Sequence, residues 1–178
     1  GGDQNGDVWR MDMNQVMVPY NPAAPAASVT PPTMPVLMHF ATLTDAAGRR
    51  QPLTARPVGS PITVAGIGQK RVYYVGTGRY LGNSDLSDPG AAGSAWQQTI
   101  YGIMDKDTGV SLGNVRAGGN LVTQTLSPLG VSAREVTKNP VDWTVRDGFL
   151  IDLNPPSDPT DGERVVLDLQ LVLGTLVV

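Results

Sequence analysis

The sequence predicts an all-β fold, and three observations support this prediction. Short segments alternate apolar and polar residues with a period of two, as strands with one buried face do. Glycine and proline together make up 36 of the 178 residues, and they separate these segments with turn chemistry. No stretch combines an apolar pattern at helical spacing with capping residues. We therefore expect about ten short strands.

The first half of the chain contains three clear strand patterns. "DVWRMDM" (Asp7–Met13) alternates, Val36–Thr44 is largely apolar, and Lys70–Tyr80 is rich in β-branched and aromatic residues. A polar hairpin loop, "DAAGRRQ", follows the second of these segments. Between the second and third patterns, "PLTARPV" and "ITVAG" are expected to form short extended pieces around Pro57 and Pro61, because proline cannot donate to a β-ladder.

The second half continues in the same way. Strands are expected in Gln97–Asp105, "NLVTQTLS", "SAREVT" and Gly148–Leu153. In the tail, leucines alternate with Asp168 and Gln170, which a helix would place about 200° apart without a common polar face. Gly174 interrupts this run, so "TLVV" begins a second strand.

The charge and composition exclude several classes of function. The net charge is −3 and the Lys and Arg residues are not clustered, which argues against a nucleic-acid partner. There is no cysteine, so disulfides, thiolate catalysis and cysteine-ligated metals are excluded. The longest apolar run, "VVLDLQLVLGTLVV", is shorter than the roughly 20 residues of a membrane-spanning helix, so no transmembrane segment is expected.

The opening stretch, "GGDQNGDVWRMDMN", allows two interpretations. Asp3, Asn5 and Asp7 alternate like the oxygen ligands of a calcium loop. A helix–loop–helix calcium loop also needs glycine at its sixth position and glutamate at its twelfth, where this chain has Val8 and Asn14. We favour a polar turn that leads into a strand, and a cation contact at Asp3, Asn5 and Asp7 is kept as the alternative.

Two further motifs suggest chemistry less strongly. "GTGRYLG" has glycines at the first and third places of a dinucleotide-binding turn, but Leu81 occupies the sixth. Gly76 and Gly78 are therefore expected to allow close backbone approach, and Arg79 is expected to pair with Asp85. His39 is the only histidine, and no Ser/His/Asp set can be assembled from the sequence.

Several blocks of the sequence resemble a known family. "GDQNGDVWRMD" resembles the blade signature of quinoprotein-type β-propellers. "VYYVGTGRYLGNSDLSD", "QTIYGIMD", "RAGGNLVTQTL", "GFLIDL" and "GERVVLDLQLVLGTLVV" are similar, in this order and spacing, to the C-terminal propeller of the type IV pilus tip-associated adhesins, the PilY family. The resemblance covers essentially the whole chain.

The resemblance implies a β-propeller, in which sheets are arranged radially. We expect residues 1–178 to form a partial propeller that starts and ends inside blades, a piece of a larger ring. Such a piece would leave strand edges and apolar faces exposed. By the same comparison, Trp9, Trp96 and Trp143 are expected to pack between blades.

The resemblance also implies a function. Members of the family lie at the pilus tip, extracellular or on the cell surface, after transit through the periplasm or outer membrane, and they support pilus biogenesis, twitching motility and adhesion. We expect no enzyme activity. The expected partners are the rest of the parent chain, minor pilins and a host or abiotic surface. Recognition is expected in the loops Asn21–Pro35 and Gly82–Ala95.

The implied cofactor chemistry is limited. No cofactor is expected in this segment, and a calcium loop of the parent protein is expected just upstream of residue 1. The alternative function is a quinoprotein dehydrogenase-like propeller enzyme. That class needs a quinone floor and metal ligands that converge on the ring axis, and no such residues are recognisable in the sequence.

Overall fold

The computed structural model describes residues 1–13, 37–82, 85, 97–130, 133–153 and 162–178. Within these residues the chain forms eleven β-strands, and the all-β prediction is confirmed. The strands are β1 (Asp7–Met11), β2 (Leu37–Thr42), β3 (Val58–Val64), β4 (Gly68–Gly76), β5 (Thr99–Asp105), β6 (Leu121–Gln124), β7 (Leu126–Leu129), β8 (Ala133–Val136), β9 (Gly148–Asp152), β10 (Gln170–Val172) and β11 (Thr175–Val177).

A five-stranded sheet forms the centre of the fold. Its order is β3-β4-β5-β9-β6, and all neighbours are antiparallel except β6 and β9, which run parallel. Every residue of β5 is buried, because this central strand is covered on both faces. A buried strand has no polar face, which explains why "TIYGIMD" is largely apolar instead of alternating.

The strands β1 and β2 form a separate antiparallel ribbon, called here the β1–β2 ribbon. The register shifts between Val8 and Trp9, so Phe40 is an extra residue on β2, as in a β-bulge. The Phe40 carbonyl accepts a hydrogen bond from the Leu112 N–H at 2.8 Å. Val8 and Phe40 pack with Tyr101 and Leu150 in the main apolar cluster, which joins the ribbon to one face of the central sheet.

The C-terminal tail covers part of the opposite face. Val165 and Leu169 are buried there against Ile100 and Leu153. The tail then ends in the β10–β11 hairpin. Its turn is formed by Leu173 and Gly174, both in the left-handed region with φ of 49° and 81°.

A partly buried polar network lies between the ribbon and the central sheet. Arg116 donates from Nη1 to Asp152 Oδ2 at 3.2 Å, from Nε to the Thr44 carbonyl at 2.7 Å and from Nη2 to Thr99 Oγ1 at 3.1 Å. The Tyr101 hydroxyl also contacts the Thr44 carbonyl, at 2.8 Å. Burial raises the pKa of Tyr101, against an opposing effect of the Arg116 charge, so this side chain stays a neutral hydrogen-bond donor.

Two strand predictions are wrong in detail. Strand β3 runs without interruption through Pro61. Proline has no backbone N–H, but β3 is an edge strand, so this missing donor need not break the ladder. In the tail, the predicted alternation of residues 163–172 forms a strand only from Gln170 onward. Leu167 is 77% exposed, whereas Leu169 is 4% exposed, so these two leucines do not share one buried strand face.

The tryptophan prediction has a mixed outcome. Within this chain Trp9 is 43% exposed, so its packing between blades stays a prediction. Trp143 packs beside the buried cluster of Val64, Val72 and Met104. Trp96 and the loop Asn21–Pro35 lie outside the described residues. Of the loop Gly82–Ala95, only Gly82 and Asp85 are described.

Candidate functional site

The opening stretch forms a tight hairpin turn. Oδ1 of Asp3 accepts hydrogen bonds from the Asn5 N–H at 2.9 Å and the Asp7 N–H at 3.0 Å, in the manner of an Asx turn. Gly6 closes the turn with φ of 78°, a conformation that glycine adopts without strain. Gly2 and Val8 then face each other as an antiparallel bridge.

Asp7 is the electrostatic centre of this corner. Its Oδ1 accepts from Thr42 Oγ1 at 2.8 Å and lies 3.0 Å from Nε2 of His39, while its Oδ2 accepts from Arg50 Nη1 at 2.7 Å. Partial burial alone would raise the pKa of Asp7. The hydrogen bonds from Thr42 and His39, together with the Arg50 charge, outweigh this effect and hold that pKa below its ordinary value.

The predicted residues Asp3, Asn5 and Asp7 are therefore brought together in one turn. The carboxylates of Asp3 and Asp7 both accept hydrogen bonds from protein donors. Across the described residues, no group of three or more His, Asp or Glu side chains is arranged to hold a metal ion. The turn geometry is thus explained by protein contacts, and the cation alternative stays an untested prediction.

The structure does assemble a Ser–His–Asp chain, which the sequence analysis missed. Nδ1 of His39 lies 2.9 Å from Ser111 Oγ, and Nε2 of the same ring lies 3.0 Å from Asp7 Oδ1. These residues are far apart in the chain and carry no shared motif, so no local signal could have identified them. A fold-level prediction of the pairing between the ribbon and residues 110–115 would have been required.

The chain of contacts is better explained as a structural tie than as a nucleophile site. The Gly113 N–H, a candidate oxyanion donor, instead donates to Ser111 Oγ at 3.1 Å. Arg50 neutralises the Asp7 carboxylate that would orient the histidine. The contacts fasten the loop that contains Ser111 to the outer face of the ribbon, where Trp9 meets the His39 ring edge-on at 5.5 Å.

A cleft opens beside the ribbon, between β1 and the start of β3. Its volume is about 320 Å³, in the range of small ligand pockets. The lining is mainly apolar and comprises Val8, Trp9, Met11, Phe40, Pro57 and Tyr73, with Arg10 and Arg56 among the polar members. Met11 is 53% exposed, so an apolar side chain stands open at this margin.

The second predicted site, around "GTGRYLG", forms a clamp. Arg79 Nη2 lies 2.7 Å from Asp85 Oδ1, which confirms the predicted ion pair. The Leu81 N–H donates to Asp85 Oδ2 at 2.7 Å, and this bond, followed by the Arg79 contact, holds the pKa of Asp85 below its ordinary value. Arg164 from the tail donates to the backbone carbonyls of Arg79 and Asp85, so this loop is fastened to the C-terminal segment.

The glycines of this motif serve close approach, as predicted. A Cβ at Gly78 would lie 2.7 Å from the Val165 carbonyl oxygen, and φ of Gly78 is 151°. The tail therefore packs directly against the backbone of this turn. The described residues also include no helix element after this turn to receive a phosphate.

The β-sheets with their open edges are those of one class of protein, a partial β-propeller. The model of the PilY1 β-propeller domain matches residues 1–133, three quarters of the chain. The chain belongs to this family, and the resemblance seen in the sequence is confirmed. No solved structure shows a significant match.

A curated relative agrees with this assignment. The chain is 26% identical over 119 residues to a type IV pilus biogenesis factor PilY1 homolog of Xylella fastidiosa, strain Temecula1. The aligned stretch is 67% of this chain but 7% of that relative's length. Residues 1–178 therefore correspond to a small part of such a protein. The expectation that they begin and end inside blades stays a prediction.

Among the helices of the described residues, none is long and apolar enough to cross a membrane.

Proposed function

We propose that this chain is part of the propeller of a non-enzymatic type IV pilus biogenesis factor. The family match over residues 1–133 is the observation that carries the proposal. The curated relative, whose printed name describes pilus biogenesis, points in the same direction.

The proposal extends to location and partners. The parent protein acts at the cell surface, at or near the pilus tip, where it contacts minor pilins and supports adhesion and twitching motility. Recognition takes place in loops on a rigid sheet scaffold. The clamp of Arg79, Asp85 and Arg164 supports this assignment, because it fixes the base of the loop Gly82–Ala95 to the scaffold.

A deletion of the gene for the parent protein tests the proposal. We expect fewer surface pili and a smaller twitching zone, both restored by the intact parent but not by a parent that lacks residues 1–178. A deletion strain with normal piliation and normal twitching would refute the proposal. Purified parent protein should retain minor pilins on a column, whereas an unrelated extracellular β-protein used as the control should not.

The proposal assigns no cofactor to this segment and places a calcium loop of the parent upstream of residue 1. Calcium titration of the parent protein should raise its Tm, and the rise should persist in the Asp3→Asn variant. If this variant abolished the calcium response, the calcium site would be assigned to the opening turn.

A further inference from the structure

The outer edge of β1 is already paired as a strand at one end. The amino group of Gly1 donates to the Trp9 carbonyl at 2.8 Å, and the Trp9 N–H donates to the Gly1 carbonyl at 2.7 Å. With the bridge between Gly2 and Val8, these bonds form the end of an antiparallel ladder on the side of β1 away from β2.

The same edge continues without a partner strand. In an antiparallel strand, residues two apart direct their backbone groups to the same side, so Met11 directs its N–H and C=O as Trp9 does. Within the described residues, β1 pairs with β2 and with Gly1–Gly2, and nothing is paired opposite Met11 on this edge. An unpaired edge of this kind is a template for strand addition.

The cleft lies directly beside this edge. Its apolar lining includes Val8, Phe40 and Tyr73, which belong to the main core cluster or pack against it. The ribbon therefore covers part of the central sheet and stops short of β3, which leaves about 320 Å³ of space above Pro57 and Gly59. A strand next to β1 would place alternate side chains in this space.

We propose that β1 is completed by a further strand, antiparallel to β1 and in line with Gly1–Gly2, whose inward apolar side chains fill the cleft. The strand is supplied by another part of the same propeller polypeptide, outside these 178 residues. Propeller blades are four-stranded sheets, whereas the ribbon has two strands. The far greater length of the matched relative shows that such polypeptides contain further chain. The proposal rests on family membership and not on the pilus role, so a deletion phenotype does not bear on it.

Amide hydrogen exchange and methionine oxidation in the parent protein test this proposal. We expect the Met11 amide to exchange at least tenfold more slowly in the parent than in the chain of residues 1–178. The Met11 sulfur should oxidise slowly in the parent, close to the rate of the buried reference Met104, which is 1% exposed. Equal reactivity of Met11 in both proteins would overturn the proposal.

Two controls keep the result interpretable. If Met104 oxidises in the 178-residue chain as fast as in urea, that chain is unfolded. The reactivity of Met11 in the folded parent is then compared with its reactivity in the parent unfolded in urea. Protection of Met11 that appears in the 178-residue chain and rises with its concentration would assign the edge to a second copy, and would overturn the proposal.

A matched pair of variants adds an independent readout. Met11→Glu should lower the Tm of the parent by several degrees, because the added strand would cover a carboxylate at this position. Val110→Glu, at a site 67% exposed and away from the cleft, should leave the Tm nearly unchanged. Equal Tm values for the two variants would contradict the proposed strand.

Discussion

Val165 lies so close to Gly76 that a Cβ on the glycine would be 2.5 Å from Cγ1 of the valine. This contact joins the end of β4 to the C-terminal tail across about 90 residues of sequence. Because φ of Gly76 is not in the left-handed region, the requirement for glycine is one of space alone. The contact explains how the tail is held on the central sheet.

Gly76→Ala should therefore destabilise the chain by about 1–3 kcal/mol, the usual cost of overpacking. Gly82→Ala is the matched control, since a Cβ there would meet nothing within 4 Å and its cost should stay within about 0.5 kcal/mol. Urea unfolding followed by tryptophan fluorescence measures both. Equal midpoints for the two variants would show that the tail does not pack on Gly76.

Alanine substitutions at Gly6 and Gly48 distinguish the cost of backbone strain from the cost of a steric clash. Their φ values are 78° and 81°, so alanine at either should cost about 1 kcal/mol or more through backbone strain. At Gly6 a Cβ would also lie 2.8 Å from the carbonyl oxygens of Leu43 and Gln51, whereas at Gly48 it would meet nothing. Gly6→Ala should thus lower the free energy of unfolding by at least about 1 kcal/mol more than Gly48→Ala. A smaller loss at Gly6 would contradict the docked turn.

Arg116→Ala should cost about 2 kcal/mol, because it removes the charged hydrogen bonds to the Asp152 carboxylate and the Thr44 carbonyl and leaves these acceptors with the Thr99 and Tyr101 hydroxyls alone. Arg71 is exposed, and Arg71→Ala should change stability by less than about 0.5 kcal/mol. Thermal unfolding by circular dichroism compares the two. If both variants unfold at the same temperature, the network does not contribute to stability.

The Asp7 contacts predict an acid-sensitive contribution to stability. Because the pKa of Asp7 is lower in the folded chain than in the unfolded chain, folding favours the ionised carboxylate. This contribution is fully present above the ordinary aspartate pKa of about 4 and is lost as the pH falls through the lowered folded value. The stability difference between the wild type and Asp7→Asn should therefore be largest at neutral pH and shrink toward pH 2. A constant difference across urea titrations would show that Asp7 is not responsible.

The chain of Ser111, His39 and Asp7 should behave as a tie and not as a nucleophile. Ser111→Ala should cost about 1 kcal/mol through the lost hydrogen bonds to His39 and Gly113. A fluorophosphonate probe should not label the folded wild type, as judged by mass spectrometry. Labelling of Ser111 that disappears in His39→Gln would instead establish an activated serine.

The sequence predicted strand positions well where local pattern determines them. Strands β2, β5 and β9 lie inside the predicted segments, whose apolar, β-branched and aromatic residues suit a pleated, buried surface. The pair Arg79 and Asp85 was also predictable, since its partners are six residues apart. Features set by tertiary contacts were not predictable. Pro61 is tolerated because β3 is at an edge, and Leu167 stays exposed because the tail begins its strand only at Gln170.

The candidate site shows the same division. Turn chemistry at Asp3 and Gly6 is local, so the corner could be proposed from seven residues of sequence. The arrangement of Asp7, His39 and Ser111 depends on pairing between segments 32 and 72 residues apart. The cleft depends on where the ribbon ends above the sheet, and no sequence pattern encodes that position.

The pairing of β5 with β9 has a consequence for how the chain is made. Strands β3 and β4 are joined by a short turn, and one loop links β4 to β5. Strand β9, the other neighbour of β5, leaves the ribosome more than forty residues after β5. Until then, one side of the most apolar strand offers unsatisfied amides to any neighbouring nascent chain. A chaperone that covered "TIYGIMD" during synthesis would limit this exposure, and arrest of translation before Gly148 should yield an aggregation-prone product.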